Sequence, residues 1–273
     1  SVVMIGGGGN DSLSAYDIEF GGSLTGGTGD DFYSVDDSVS IIELAGEGRD
    51  TVETYNESYT MGENIEDVIF NAHYENGATI TGNELDNVMT IYGNADTQVY
   101  GAGGNDYIQL HQNWSAESGD FANGGEGNDT LIGSGSGGLL QGGGGDDVLD
   151  GRWGNINLEG GAGNDTFRLD NNQYEYPEYY GGVVISDFND WNDHIQLNDF
   201  TRLGGEGVLG SRYFHSGAGE TAVAQDESDR IIFDTSSGAL YYDADGNGAG
   251  AQVLVATINV ENGNLNHTDF IVS

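Results

Sequence analysis

A nine-residue period governs the middle of this chain. From Gly124 to Arg168 the sequence divides without a gap into five nonads: GGEGNDTLI, GSGSGGLLQ, GGGGDDVLD, GRWGNINLE and GGAGNDTFR. Position eight is apolar every time, as Leu131, Leu140, Leu149, Leu158 and Phe167. Six turn-forming residues followed by three around one apolar position cannot be a helix; they describe a tight turn and a very short strand, repeated. Glycine recurs because such turns need backbone angles closed to residues with a Cβ. If two nonads make one turn of a flattened coil, residues 18 apart stack on the same edge. Asp129, Asp147 and Asp165 have that spacing and form a ladder of carboxylates.

Such a ladder repels itself. Two carboxylates about 4 Å apart oppose each other by about 4 kcal/mol at an effective dielectric of about 20. The whole chain shares the difficulty: its 273 residues hold 46 Asp and Glu against six Arg and no Lys, a formal charge of -40. That charge excludes nucleic acid as a natural partner and disfavours an anionic membrane. No apolar run is long enough for a transmembrane helix, and the first residues lack the features of a secretory signal peptide. With no cysteine, disulfides and thiolate zinc sites are out of reach. High charge and 48 glycines also fit a disordered chain, but regularly spaced Tyr, Phe, Ile and Val point to a core that forms once cations neutralise the ladder. A hard dication between rungs turns repulsion into attraction, and calcium accepts six to eight oxygens in flexible geometry.

The nonads resemble those of the RTX (repeats-in-toxin) family of secreted calcium-binding proteins, whose motif is GGxGxDxUx with U apolar. Clean matches begin at Gly6, Gly26, Gly124, Gly142 and Gly160, and weaker ones at Ala45, Thr81 and Gly101. The resemblance implies an all-β fold, a calcium-binding parallel β-roll (β-solenoid) with a C-terminal β-rich capping region. It implies several Ca2+ ions held by turn carbonyls and aspartates. In the first part of the chain those residues are Gly6, Gly7, Gly9 and Asp11; Gly26, Gly27, Gly29 and Asp31; Gly46, Gly48 and Asp50; Asp86; and Gly101, Gly103 and Asp106. In the regular repeats they are Gly124, Gly125, Gly127 and Asp129; Gly142, Gly143, Gly144, Gly145 and Asp147; and Gly160, Gly161, Gly163 and Asp165. The opposite edge of the regular repeats departs from the pattern, with Gly138 and Ile156 where Asp would stand. One-edge calcium binding is expected there, with Trp153 as a cover, against the alternative of ions held by carbonyls alone.

Three regions follow: irregular repeats with insertions over 1–123, the regular roll over 124–168, and a cap with a secretion-signal region over 169–273. In the first, Ile65, Val68, Phe70, Ile80 and Val88 mark further short strands, and Leu110 to Asn123, with His111 and Trp114, reads as a loop. Past Arg168, Tyr174 to Tyr180 around Pro177 leave the roll. The segment Val183 to Phe200 resembles the family's post-repeat cap, whose Asp187 and Asp193 are candidates for a terminal calcium site. RIIFD and ALYYD read as a hairpin turning at Thr235 to Gly238. DADGNG (243–248) resembles half an EF-hand loop, but Leu254 stands where the bidentate Glu is needed. The last residues resemble a type I secretion signal and read equally as a final strand, and Val2 to Ile5 read as the strand of a preceding repeat in a longer polypeptide.

Catalytic motifs are missing: the histidines are scattered, and there is no HExxH, no G-x-S-x-G and no P-loop lysine. The chain reads as a non-catalytic module that stays unfolded at cytosolic calcium, passes the type I secretion apparatus and folds outside the cell. The alternative is a structural or adhesive element of a surface layer, matrix or filament, with self-assembly or contact to a cell surface or polysaccharide. A third reading is an accessory module of a secreted hydrolase, lyase or epimerase.

Overall fold

The computed structural model describes residues 2–16, 21–36, 39–71, 77–93, 96–112, 119–133, 137–152, 155–170, 182–200 and 202–273. Trp114, Trp153, His73 and the Tyr174 to Tyr180 segment lie outside them. Two compact units emerge, residues 1–131 and 132–273. The fold is the expected parallel β-solenoid, and among the described residues no helix is long and apolar enough to cross a membrane.

In the first unit, Ser12–Ala15, Phe32–Val35, Thr51–Thr54, Asp67–Asn71, Val88–Gly93 and Tyr107–Gln112 pair in parallel in that order. Parallel register places Leu13, Tyr33, Val52, Val68, Met89 and Ile108 in one column. All six are buried. The alternate strands of the coil form two further parallel sets in chain order: Val2–Gly8, Gly22–Thr28 and Val39–Ile41, then Ser58–Thr60, Thr79–Thr81, Gln98–Gly103 and Phe121–Glu126. Strands this short are held by stacking identical register on identical register, so one apolar residue per strand builds a continuous core.

Val88 opens the strand Val88–Gly93, in keeping with the short strand expected there, and its neighbour Met89 is the residue that faces the core. Leu110 to Gln112 and Phe121 to Asn123 belong to strands rather than to a loop, with His111 stacked on Tyr92 at 4.7 Å.

In the second unit, Leu140, Leu158, Ile185 and Ile258 stack in one column, and Leu149, Phe167, Ile195 and Phe270 in another. The hairpin falls where the sequence places it, Ile231–Asp234 against antiparallel Ala239–Tyr242. The terminal strand Phe270–Val272 pairs in parallel with Ile195 to Leu197, and Gly207–Val208 runs antiparallel along its other side. Antiparallel segments thus cover edges that a bare parallel solenoid would leave open.

Candidate metal sites

The turns between strands repeat one construction. Glycines at positions two and four take positive φ, as at Gly27 (99°), Gly29 (124°), Gly161 (97°) and Gly163 (151°). The chain then reaches the aspartate at position six, whose side chain folds back over position one of its own turn. At Gly6, Gly26, Gly101, Gly142 and Gly160 an added Cβ would collide with Oδ2 of Asp11, Asp31, Asp106, Asp147 and Asp165 respectively. The first glycine is therefore the floor of a cradle shaped for one carboxylate oxygen.

Along the ladder, a backbone amide of one turn holds Oδ1 of the aspartate in the next. The amide of Asp11 donates to Asp31 at 2.7 Å, Asp31 to Asp50 at 2.8 Å, Asp106 to Asp129 at 2.7 Å, Asp147 to Asp165 at 2.9 Å and Asp165 to Asp193 at 3.0 Å. Oδ2 has a different fate. In Asp11, Asp31, Asp106 and Asp165 it is buried without a hydrogen-bond partner. A buried carboxylate oxygen left bare costs several kcal/mol, on the order of that for any uncompensated charge in a protein interior. Burial accordingly pushes Asp106 up to about 7 and Asp50 and Asp165 up to about 6, and raises Asp129 and Asp193 as well.

This donor set suits calcium. Every candidate ligand is oxygen, no thiolate exists, and the bare oxygens stand among glycine turns whose carbonyls lack shielding side chains.

A second row runs outside the first. Side-chain oxygens at position five accept the amide of the following turn, as Asn10 does from Asp30, Asp86 from Asn105, Asn105 from Asn128 and Asp146 from Asn164. Asp86 belongs to this exposed row, whereas the sequence assigns it to position six. Asn87 takes the buried place, its amide donating to Oδ1 of Asp106 at 2.8 Å. Its own Nδ2 donates to the carbonyls of Ile65 and Glu66 and to Oδ1 of Asn83, so that rung is closed by an amide.

Asp187 and Asp193 are brought to the next turn but are engaged differently from the repeat aspartates. Asp187 accepts the amides of Gly160 and Gly161, one on each oxygen, and Asp193 accepts those of Asp165 and Asn189. On the opposite edge, Ile156 is buried and fills the space over Gly151 and Gly133. A methyl plug there replaces the carboxylate. In the first unit the opposite edge does carry a ladder aspartate that the nonad motif misses: Asp120, buried, accepts the Thr97 amide at 2.8 Å. Its signal was the tripeptide Asp120-Phe121-Ala122, an Asp two residues before a buried position. In DADGNG, Asp243 accepts the Asp245 amide and Asp245 that of Gly250, the hydrogen bonds of an ordinary Asp/Gly turn.

The sequence model of the family described as peptidase M10 serralysin C terminal matches residues 3–272. The chain belongs to that family. The serralysin C-terminal region is the RTX-type repeat region, so the resemblance carried by the nonads and the solenoid found in the structure agree. No curated protein matches the chain. In this serralysin C-terminal chain the glycine cradle recurs at Asp11, Asp31, Asp106, Asp147 and Asp165, always with Oδ2 of the aspartate over the first glycine of its turn.

Proposed function

We propose that this serralysin C-terminal chain is an extracellular calcium-binding module that folds on binding calcium after type I secretion and carries no catalytic site of its own. One observation carries the reading: Oδ2 of Asp11, Asp31, Asp106 and Asp165, buried and bare over a glycine that admits no Cβ. Calcium supplies the positive charge that makes burial of these carboxylates favourable. The chain's own residues fix the geometry, with the backbone amide of one rung orienting the carboxylate of the next through Oδ1. The division into irregular repeats (1–123), regular roll (124–168) and cap (169–273) is part of this proposal, and so is the export role of the last region.

Because apo carboxylates oppose folding, submicromolar calcium favours the unfolded chain and extracellular millimolar calcium the solenoid. Circular dichroism and light scattering of the full chain during a calcium titration test this. A coil-to-β transition without growth in particle size is expected. Full β-structure in excess EDTA would overturn the proposal. Chelator-reversible assembly would favour the structural or adhesive alternative.

A further inference from the structure

Position eight of the repeat GGTGDDFYS is Tyr33, a phenol where neighbouring turns place aliphatic side chains. It is fully buried, 0% exposed. A tyrosine hydroxyl in such a core needs a partner, and this one donates to Oε1 of Glu43, which also accepts the Gly26 amide at 2.9 Å. Glu43 lies outside every nonad. It reaches this place because Val39–Ile41 runs in register with Gly22 to Leu24, and the Ile42 amide donates to the Leu24 carbonyl at 2.9 Å. The next residue is thereby set beside Gly26. Asn64 holds its backbone, donating from Nδ2 to the Glu43 carbonyl at 3.0 Å.

The result is a group of three buried carboxyls. One oxygen from each of Asp31, Glu43 and Asp50 lies within 4.8 Å of the other two. Glu43 is 6% exposed, and both its Oε2 and Oδ2 of Asp31 are buried without a hydrogen-bond partner. Among the described residues no arginine forms an ion pair with any of the three: Arg49 pairs with Asp67 and Arg152 with Asp150. Asp187 makes a similar approach to Gly160, but spends one oxygen on each of two amides. The longer Glu43 side chain spends Oε1 on both donors and keeps Oε2 free.

The geometry points to a composite cation site in which Glu43 adds a carboxylate from outside the repeat to Asp31 and Asp50, with Tyr33 and the Gly26 amide as its positioning groups. Three carboxylates select a hard cation of charge two or three, Ca2+ or a trivalent lanthanide, and make this the tightest site of the ladder. The inference rests on the proposed cation binding for Asp31 and Asp50; Glu43 and Tyr33 are its addition.

Terbium is the probe, since a tyrosine beside the ion sensitises its emission. Calcium calorimetry and tyrosine-excited Tb3+ emission are measured on the full chain, on Glu43→Gln and on Tyr33→Phe. Glu43→Gln should weaken the tightest calcium site by about 10- to 100-fold, the range for disturbing the shell of a metal centre, and remove the emission of the first Tb3+ bound. Tyr33→Phe keeps the apolar core and should abolish that same emission. Unchanged tightest-site affinity in Glu43→Gln, or undiminished first-ion emission in Tyr33→Phe, overturns the inference. Should Glu43→Gln fail to reach wild-type ellipticity in saturating calcium, Tyr33→Phe decides alone. A wild-type chain that binds no calcium defeats the proposed function itself, a result distinct from either of these.

Discussion

The Asp147 amide donates to Oδ1 of Asp165 at 2.9 Å, so a carboxylate 18 residues ahead is oriented by backbone while its second oxygen stays bare over Gly160. Asp165→Asn separates the two halves of this arrangement. The amide oxygen can still accept from Asp147, but an NH2 replaces the bare oxygen and cannot ligate a cation. Calcium stoichiometry should fall and the folding midpoint move to higher calcium. Ile156→Ala, on the opposite edge, should instead cost about 2–5 kcal/mol as a core truncation and leave the stoichiometry intact. Calorimetry and denaturant titration in saturating calcium measure both. Equal losses of calcium in the two variants would refute binding along one edge of the regular repeats.

The raised carboxyls make the response to pH depend on calcium. Asp106 lies at about 7 and Asp50 and Asp165 at about 6, against an ordinary value of 3.8. A carboxyl raised on folding favours the folded state fully below its unfolded value, and that contribution is lost as pH climbs through the folded value. In EDTA, β-structure should therefore grow as pH falls from about 7 toward about 4. In calcium the order inverts, because protons and cations compete for the same oxygens. Ellipticity against pH with and without chelator shows this directly, and parallel curves would count against cations at these carboxyls.

The solenoid was legible because one requirement, a glycine turn every nine residues followed by one apolar position, generates both its period and its core. The candidate sites were legible wherever the nonad is clean, at Asp11, Asp31, Asp129, Asp147 and Asp165. They were less so where local sequence offers two registers. TGNELDNVM can be framed with Asp86 or Asn87 at position six, and only strand pairing, Met89 against Ile108, chooses the second. Asp120 follows an insertion and has no glycine run before it. Glu43 precedes its nonad by two residues, and nothing local says that Val39–Ile41 will lie beside Gly22 to Leu24. Its one signature in the sequence was indirect, a tyrosine at position eight.

Strain at a turn gives a separate test. Ala102 occupies position two of its repeat with φ of 85°, where the other turns place glycine at similar angles. A Cβ in the left-handed region costs about 1 kcal/mol or more. Ala102→Gly should stabilise the calcium-loaded chain by about 1 kcal/mol, less what glycine gives back in unfolded-chain entropy. Chemical denaturation at saturating calcium reads the difference, and a destabilised variant would contradict the turn geometry.

Asn87 shows how the fold closes a rung without a cation, and that can be reversed. Its Nδ2 donates to the Ile65 and Glu66 carbonyls at 3.3 Å each and to Oδ1 of Asn83 at 3.1 Å, three oxygens converging on one donor group. Asn87→Asp removes the donor and adds a buried charge facing those same oxygens. In the absence of calcium the variant should be less stable than wild type, by about 1–3 kcal/mol for a lost buried hydrogen-bond donor. With calcium it should bind one more ion and recover the loss, since the converging oxygens then have a cation to surround. Calorimetric stoichiometry decides the matter. An Asn87→Asp chain that stays destabilised at saturating calcium, with no additional ion bound, would mean that a carboxylate at position six does not suffice to make a site in this turn.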